Sequence, residues 1–286
     1  MVSADDESFI PGVSVEQPTS ARVYGWLLGG KDNYAVDREF ALKQLKEFPA
    51  GLDITRENRQ FLYRAVRWLV QEAGIRQFLD MGCGLPTDNN VHQVAQRFTP
   101  DARVVYVDND PIVLAHGRAL LAEDASTIVV DGDLRDPGTI LDDPLVTRLL
   151  DYDEPLAVLY LSVMHHVPDE DDPVGVLGAV LDRARPGSCV CLSQVVTDDP
   201  ATSAAMTESV RAKGIPWQTR TPAEVDALVA GLDPVEPGLV DLVDWRPDRF
   251  QPPLAPVDPS LRPYLGTTKH SKPVYEYGGI VRKPAG

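Results

Sequence analysis

From residue 77 onward strands and helices alternate, and this predicts a doubly wound, Rossmann-like α/β fold with a helical cap ahead of its first strand. Three observations carry the expectation. Apolar runs at 78–81, 103–107, 127–130, 156–161 and 188–196 lack the in–out alternation of a half-exposed sheet, as strands covered on both faces do. Helical stretches at 91–98, after Pro111 and at 174–184 intervene, the pattern of parallel strands joined by crossovers. Polar residues close the early runs: Asp80, Asp108, Asp133 and Ser162.

Taken in order, residues 1–18 read as a disordered tail, polar and without apolar periodicity. Residues 19–72 form the cap. Ser20 is placed to start a helix carrying Tyr24, Trp26 and Leu27, which Gly29 and Gly30 stop. After the polar turn Lys31-Asp32-Asn33-Tyr34 a second helix runs through Phe40 and Leu45, broken at Pro49 and Gly51. A third begins near Thr55, with Phe61, Leu62, Ala65, Trp68 and Leu69 on one face. The cap is too short to bury a secure core alone, so its apolar faces need the sheet domain, 73–286. Beyond the fifth strand, 201–213 and 222–229 read as helices and 239–243 and 274–281 as strands. The Pro-rich stretch 247–263 reads as an ordered loop, because a strand follows it.

Composition narrows the function classes. The chain of 286 residues carries a formal net charge of −16, a field that repels nucleic acid and anionic lipid, and its Lys and Arg residues are scattered singly. Three cysteines make no disulfide framework, and Cys189 and Cys191 suit a buried strand better than a metal pair. No metal is expected. The N-terminus lacks the apolar core of a secretory signal and no apolar run could span a bilayer, so the expected compartment is the cytoplasm.

The candidate site is the row of strand ends. Asp80-Met81-Gly82-Cys83-Gly84 closes the first strand, and its glycines allow a tight turn and close approach of a ligand. Asp108, with Asn109 beside it, is placed to accept both ribose hydroxyls of a nucleoside. Asp133, followed by Leu134, is placed to accept from an adenine amino group, and Ser162 ends the fourth strand. Each residue has a blander role open to it: Asp80 or Asp108 as a helix cap, Asp133 as part of a plain turn. A dinucleotide dehydrogenase is the first rival. Its fingerprint wants a third small residue where this chain has Gly82-Cys83-Gly84-Leu85-Pro86-Thr87, and Pro86 removes an N–H from the pyrophosphate seat.

Several long motifs carry a resemblance. Ala21-Arg22-Val23-Tyr24, the run from Leu28 through Gly29-Gly30-Lys31-Asp32-Asn33-Tyr34 to Arg38, Asn58-Arg59, Gly132-Asp133-Leu134-Arg135-Asp136-Pro137 and Tyr277-Gly278-Gly279 resemble an actinobacterial family of class I S-adenosylmethionine-dependent methyltransferases, once known only as a domain of unknown function. The resemblance covers nearly the whole chain after the tail. It implies a seven-stranded methyltransferase sheet over 73–286, an N-terminal helical cap and S-adenosyl-L-methionine as cofactor. It implies no substrate. Pro86 departs from the wider glycine pattern of such enzymes.

Methyl transfer from a sulfonium is an in-line displacement that alignment and exclusion of water can largely drive. A base is needed only for a protonated acceptor, and His165 and His166, just past the fourth strand, are the candidates. The competing role, in which one His packs on the adenine or the next helix and the other is solvated, is the favoured one. Tyr24, Asn33 and Tyr34 are placed to act as a lid, with Arg59 or Arg64 binding the methionine carboxylate. The acidic surface and enclosing cap favour a small-molecule acceptor. A catalytically silent S-adenosylmethionine-binding regulator stays open as the alternative, and a nicotinamide-dependent oxidoreductase stands behind it.

Overall fold

Why these residues make a parallel sheet is visible in the computed structural model, which describes residues 15–121 and 125–285. The expected tail lies, for residues 1–14, outside the described residues. In chain order the elements are α1 (Ser20–Leu27), α2 (Ala35–Glu47), α3 (Gly51–Gln71), β1 (Gln77–Met81), α4 (Val91–Phe98), β2 (Arg103–Asp108), α5 (Pro111–Leu121) and β3 (Thr127–Asp131). Then follow α6 (Pro137–Leu141), α7 (Pro144–Leu149), β4 (Ala157–Leu161), α8 (Pro173–Arg183), β5 (Cys189–Val196), α9 (Pro200–Arg211), α10 (Pro222–Leu228), β6 (Asp233–Pro234), β7 (Val240–Asp241) and β8 (Tyr275–Arg282).

The strand order is β3-β2-β1-β4-β5-β8-β6, with β7 also paired to β8. Strands β1 to β5 are parallel, and β8 runs antiparallel to β5. The chain leaves β1 towards β2 and β3, then returns to the other side of β1 for β4. That reversal opens a crevice at the carboxyl ends of β1 and β4, where open α/β sheets take their ligands. The expected seven strands are eight among the described residues, because two two-residue strands, β6 and β7, flank β8. The run 239–243 shortens to β7.

Residues alternate faces along each strand, so the two cores sort by parity. Leu79, Met81, Val105 and Val107 join Val158 and Tyr160 on the face covered by α6, α7, α8 and α10. Phe78, Val104, Tyr106 and Leu159 join Cys191 and Ile280 on the face covered by α3 and α4. Asp80 shares the parity of Phe78 and therefore points to the α3 side, towards the cap.

α3 begins four residues earlier than expected, at Gly51, and Thr55 donates its hydroxyl to the Gly51 carbonyl. Thr19, rather than Ser20, caps α1 by accepting from the Arg22 N–H. The cap's own apolar cluster, Trp26, Leu27, Ala41, Leu45 and Leu52, is completed by Val257 and Leu261 from the Pro-rich segment. Leu52 is wholly buried there, worth about 2 kcal/mol by its area. Polar anchors hold the same segment along α3. Asp53 accepts from the N–H groups of Gly266 and Thr268, and Arg56 donates to the Ala255 carbonyl. Gly29 turns with φ +93°, and a Cβ there would lie 2.5 Å from the Pro256 carbonyl oxygen.

Candidate active site

At the end of β1 the backbone takes positive φ at Gly82 (76°) and Gly84 (65°), which other residues adopt only under strain. A Cβ on Gly84 would meet nothing within 4 Å, so open space lies beside it. Gly82 instead is covered, its would-be Cβ 2.6 Å from Val163 and 3.5 Å from Leu134. The turn is tied across β2: Gly82 and Cys83 donate to the Val107 carbonyl, and Gly84 donates to Asp108 Oδ2 at 2.8 Å. Asp108 Oδ1 accepts from the Asp110 N–H at 3.0 Å. The Asn109 N–H also acts on this carboxylate, which with three backbone donors keeps acceptor capacity for one more. Burial pushes the Asp108 carboxyl upward, against the pull of its backbone donors.

A narrow cleft adjoins this turn, lined among others by Arg59, Asp80, Cys83, Gly84, Asn90 and Tyr106. Asp80 is 5% exposed and accepts no hydrogen bond among the described residues. Burial pushes its carboxyl up to about 7, with Arg59 pulling the other way and Asp108 adding to the rise. Asp80 does not cap the next helix. Asn90 does that, in a reciprocal pair with Gln93. Arg59 is fixed by the Asp88 carbonyl and Asn90 Oδ1. Tyr106 closes the cleft's inner side, its hydroxyl accepting from the His92 N–H at 2.9 Å.

Ser162, one residue past β4, sits at φ 55°, an unusual conformation for a residue with a side chain. Its N–H donates to both the carbonyl and the hydroxyl of Ser193 on β5, which fixes that geometry. Its own hydroxyl donates to Glu276 on β8 at 2.5 Å. Ser193 in turn donates to Asn58 Oδ1, and Asn58 Nδ2 donates to the Tyr24 hydroxyl at 2.7 Å. Tyr24 donates to the Thr55 carbonyl. One polar chain therefore joins the first cap helix, α3, and the ends of β4, β5 and β8.

The remaining sequence candidates sort as follows. Tyr34 packs beside Leu85, Ile112 and Val113, so the cap touches the glycine turn through it. Asn33 closes its own turn, donating to the Gly30 carbonyl and accepting from Arg38. Asp133 faces Arg135 in a close ion pair and accepts from its N–H, and the guanidinium holds its carboxyl below the usual range. Asn109 is exposed, and Leu134 sits over Gly82. Arg64 is spent on the C-terminal segment, donating to the Trp245 and Leu242 carbonyls.

His165 and His166 lie in a 3-10 turn, Met164–His166, away from the cleft's lining. His165 is 3% exposed, its ring 3.9 Å from that of Trp217, and its Nδ1 accepts from the Val195 N–H at 3.4 Å. Burial, then the charges of His166 and Arg220, hold it well below the usual histidine range. His166 Nδ1 lies 2.9 Å from the Pro216 carbonyl oxygen, to which it donates. The buried Arg220 guanidinium fixes the turn through the Met164 and Val167 carbonyls. Asn58, Ser193 and Glu276 are site residues that sequence reasoning missed. Asn58 had one signal, its place beside Arg59. Glu276 had another, an acid inside a strand-like apolar run.

Among the described residues there is no group of three His, Cys, Asp or Glu side chains fit to hold a metal ion. None of their helices is long and apolar enough to cross a membrane.

Comparison with known proteins agrees with this geometry. The family model described as S-adenosyl methyltransferase matches residues 8–284. A crystal structure of a Thermobifida fusca YX protein, provisionally assigned as a methyltransferase, is similar at 42% identity, covering 96% of this chain and 98% of that one, with a TM-score of 0.82. A duf574 family protein from Streptomyces avermitilis MA-4680 is similar at 37% identity, covering 94% and 99%, with a TM-score of 0.81. No match is found among the curated proteins. With a family model spanning nearly its full length and a ligand crevice at the reversal of strand order, this chain belongs to the S-adenosyl methyltransferase family.

Proposed function

We propose that this chain transfers the methyl group of S-adenosylmethionine to a small-molecule acceptor at the carboxyl ends of β1, β2 and β4. The observation that carries the reading is Asp80, a carboxyl 5% exposed on the cleft with no hydrogen-bond partner among the described residues. A buried acid left unpartnered is costly, and a ligand ammonium supplies what it lacks. The donor set fits the cofactor. Asp80 suits the methionine ammonium, and the Arg59 N–H groups not used on Asp88 and Asn90 suit its carboxylate. The Asp108 carboxylate, with acceptor capacity left, suits the ribose diol. Gly82 and Gly84 let the ligand approach the backbone, with Leu134 as an apolar neighbour. In this reading Asp133 turns from Arg135 to reach an adenine amino group. When bound, the cofactor supplies a methyl group on a sulfonium, an electrophile with a neutral leaving group.

What the chain's own residues do is hold, orient and exclude water. Tyr24 stands between the cleft and the β4 end, feeling Arg59 and Asp80 on one side and Glu276 on the other. The cap, residues 19–72, closes over the site through Tyr24 and Tyr34 and keeps water from the reacting atoms. A net charge of −16 disfavours a nucleic-acid acceptor.

The test is to incubate the protein with methyl-labelled S-adenosylmethionine and a whole-cell extract, then separate the products by size. Label should enter the low-mass fraction. Label confined to protein or nucleic acid would overturn the small-molecule assignment.

A further inference from the structure

We propose that Glu276 binds and deprotonates the methyl acceptor, and that this acceptor is a small primary or secondary amine entering as its ammonium ion. The inference rests on the methyltransferase reading above and names the substrate class of that same site.

Glu276 is wholly buried on β8, opposite Val195 of β5. Its Oε1 accepts from Ser162, while its buried Oε2 has no hydrogen-bond partner. The chain of hydrogen bonds from Thr55 through Tyr24, Asn58, Ser193 and Ser162 is paired at each link and ends on Oε1, leaving Oε2 without a donor. Tyr24 on α1, Thr55 and Asn58 on α3, Ser193 on β5 and Ser162 just past β4 thus leave one buried carboxyl oxygen unpaired at the carboxyl end of the sheet. Beside it Val195 and Val274 pack with Ile54, Met206 and Trp217 into an apolar cluster.

The charges around Glu276 select the head group. Glu57 faces it from α3 and Asp241 from β7, both paired with Lys272, and Tyr24 faces it from α1. Burial first, then Glu57 and Asp241, push its carboxyl up to about 8. An acceptor that becomes anionic on losing its proton, such as a phenol or a carboxylic acid, is repelled by this group of acids. An amine becomes neutral instead. In the step, the Glu276 carboxylate takes one proton from the ammonium nitrogen. The freed lone pair forms the N–C bond to the methyl carbon as the C–S bond breaks, its electron pair passing to sulfur. The products are the methylated ammonium and S-adenosylhomocysteine, and Glu276 returns its proton to water.

The experiment uses the full chain and reads S-adenosylhomocysteine binding first. Its absence in the wild type refutes the methyltransferase reading itself. With binding present, methyl-labelled S-adenosylmethionine is offered with butyl and phenylethyl frames, each as amine, alcohol and carboxylate. Label should enter the amines. Glu276→Gln should lower kcat by about 100-fold or more, with S-adenosylhomocysteine affinity within about threefold of wild type. The wild-type rate should rise with pH through the Glu276 titration, and the variant's should rise only at the higher pH where the amine itself loses its proton. Label on alcohols or carboxylates in place of amines, no label on any amine, or an undiminished Glu276→Gln would each overturn the proposal. Should Glu276→Gln not fold, Glu276→Asp decides: a lowered kcat that keeps the pH dependence supports it, and a pH-independent rate overturns it.

Discussion

Replacing Asp80 with Asn should make the ligand-free protein more stable and the cofactor weaker to bind. The Asp80 carboxyl is raised from 3.8 to about 7, chiefly by burial. A group whose folded pKa lies above its unfolded value binds protons more readily in the folded state. Its contribution is therefore full below pH 3.8 and is lost as pH rises to about 7. At 1.36 kcal/mol per pKa unit the loss approaches ~4 kcal/mol as an upper bound. Asn never ionises, but it buries an amide with no partner, at ~1–3 kcal/mol. The net gain of Asp80→Asn above neutral pH is then at most ~1–3 kcal/mol. Urea unfolding of both proteins from acid to alkaline pH reads it. The variant's advantage should be absent at acid pH, grow between the two pKa values and level off above them. A difference that stays flat with pH, or a variant less stable at alkaline pH, would refute the claim that Asp80 is a desolvated acid awaiting a cation.

Other outcomes follow from the same geometry. Asp108→Ala should lose ~2–3 kcal/mol of S-adenosylhomocysteine affinity, and ~1–2 kcal/mol of stability because the Gly84 and Asp110 N–H groups lose their acceptor; titration calorimetry and urea unfolding separate the two. Arg64→Met should cost ~2–4 kcal/mol of stability by leaving the Trp245 and Leu242 carbonyls unpaired, with cofactor affinity unchanged in the same two assays. Hydrogen exchange with S-adenosylhomocysteine should show protection rising over 29–38 as well as around Gly82 and Asp108; protection confined to the glycine turn would make the cap structural and strike Asn33 and Tyr34 from the site.

Much of the fold was legible because strands covered on both faces need unbroken apolar runs, and β1 to β5 have them. α6 and α7 were not foreseen. Each is one or two turns long, too short for periodicity to show, although the pairs Asp136-Pro137 and Asp143-Pro144 are cap-and-first-turn signals that a closer reading would use. β6 ends on Pro234, a residue that speaks against a strand and is tolerated only at an edge. In the site, Asp80, the glycines and Asp108 could be named because strand ends lie at readable positions. The role of Arg64 could not, since its partners lie 178 and 181 residues away. Nor could Glu276, whose one partner, Ser162, lies 114 residues away and whose other oxygen is left unpaired by the packing of the sheet. His165 shows the converse: its position after β4 is legible, but the Trp217 ring that stacks on it is not.

The central claim is that the cleft at the carboxyl ends of β1 and β2 takes S-adenosylmethionine. A calorimetric titration of the full chain with S-adenosylhomocysteine, repeated with Asp80→Asn and with NAD as competitor, tests it most directly. One saturable site is expected, for which NAD does not compete and which Asp80→Asn weakens. No heat with S-adenosylhomocysteine, together with binding of NAD, would contradict it.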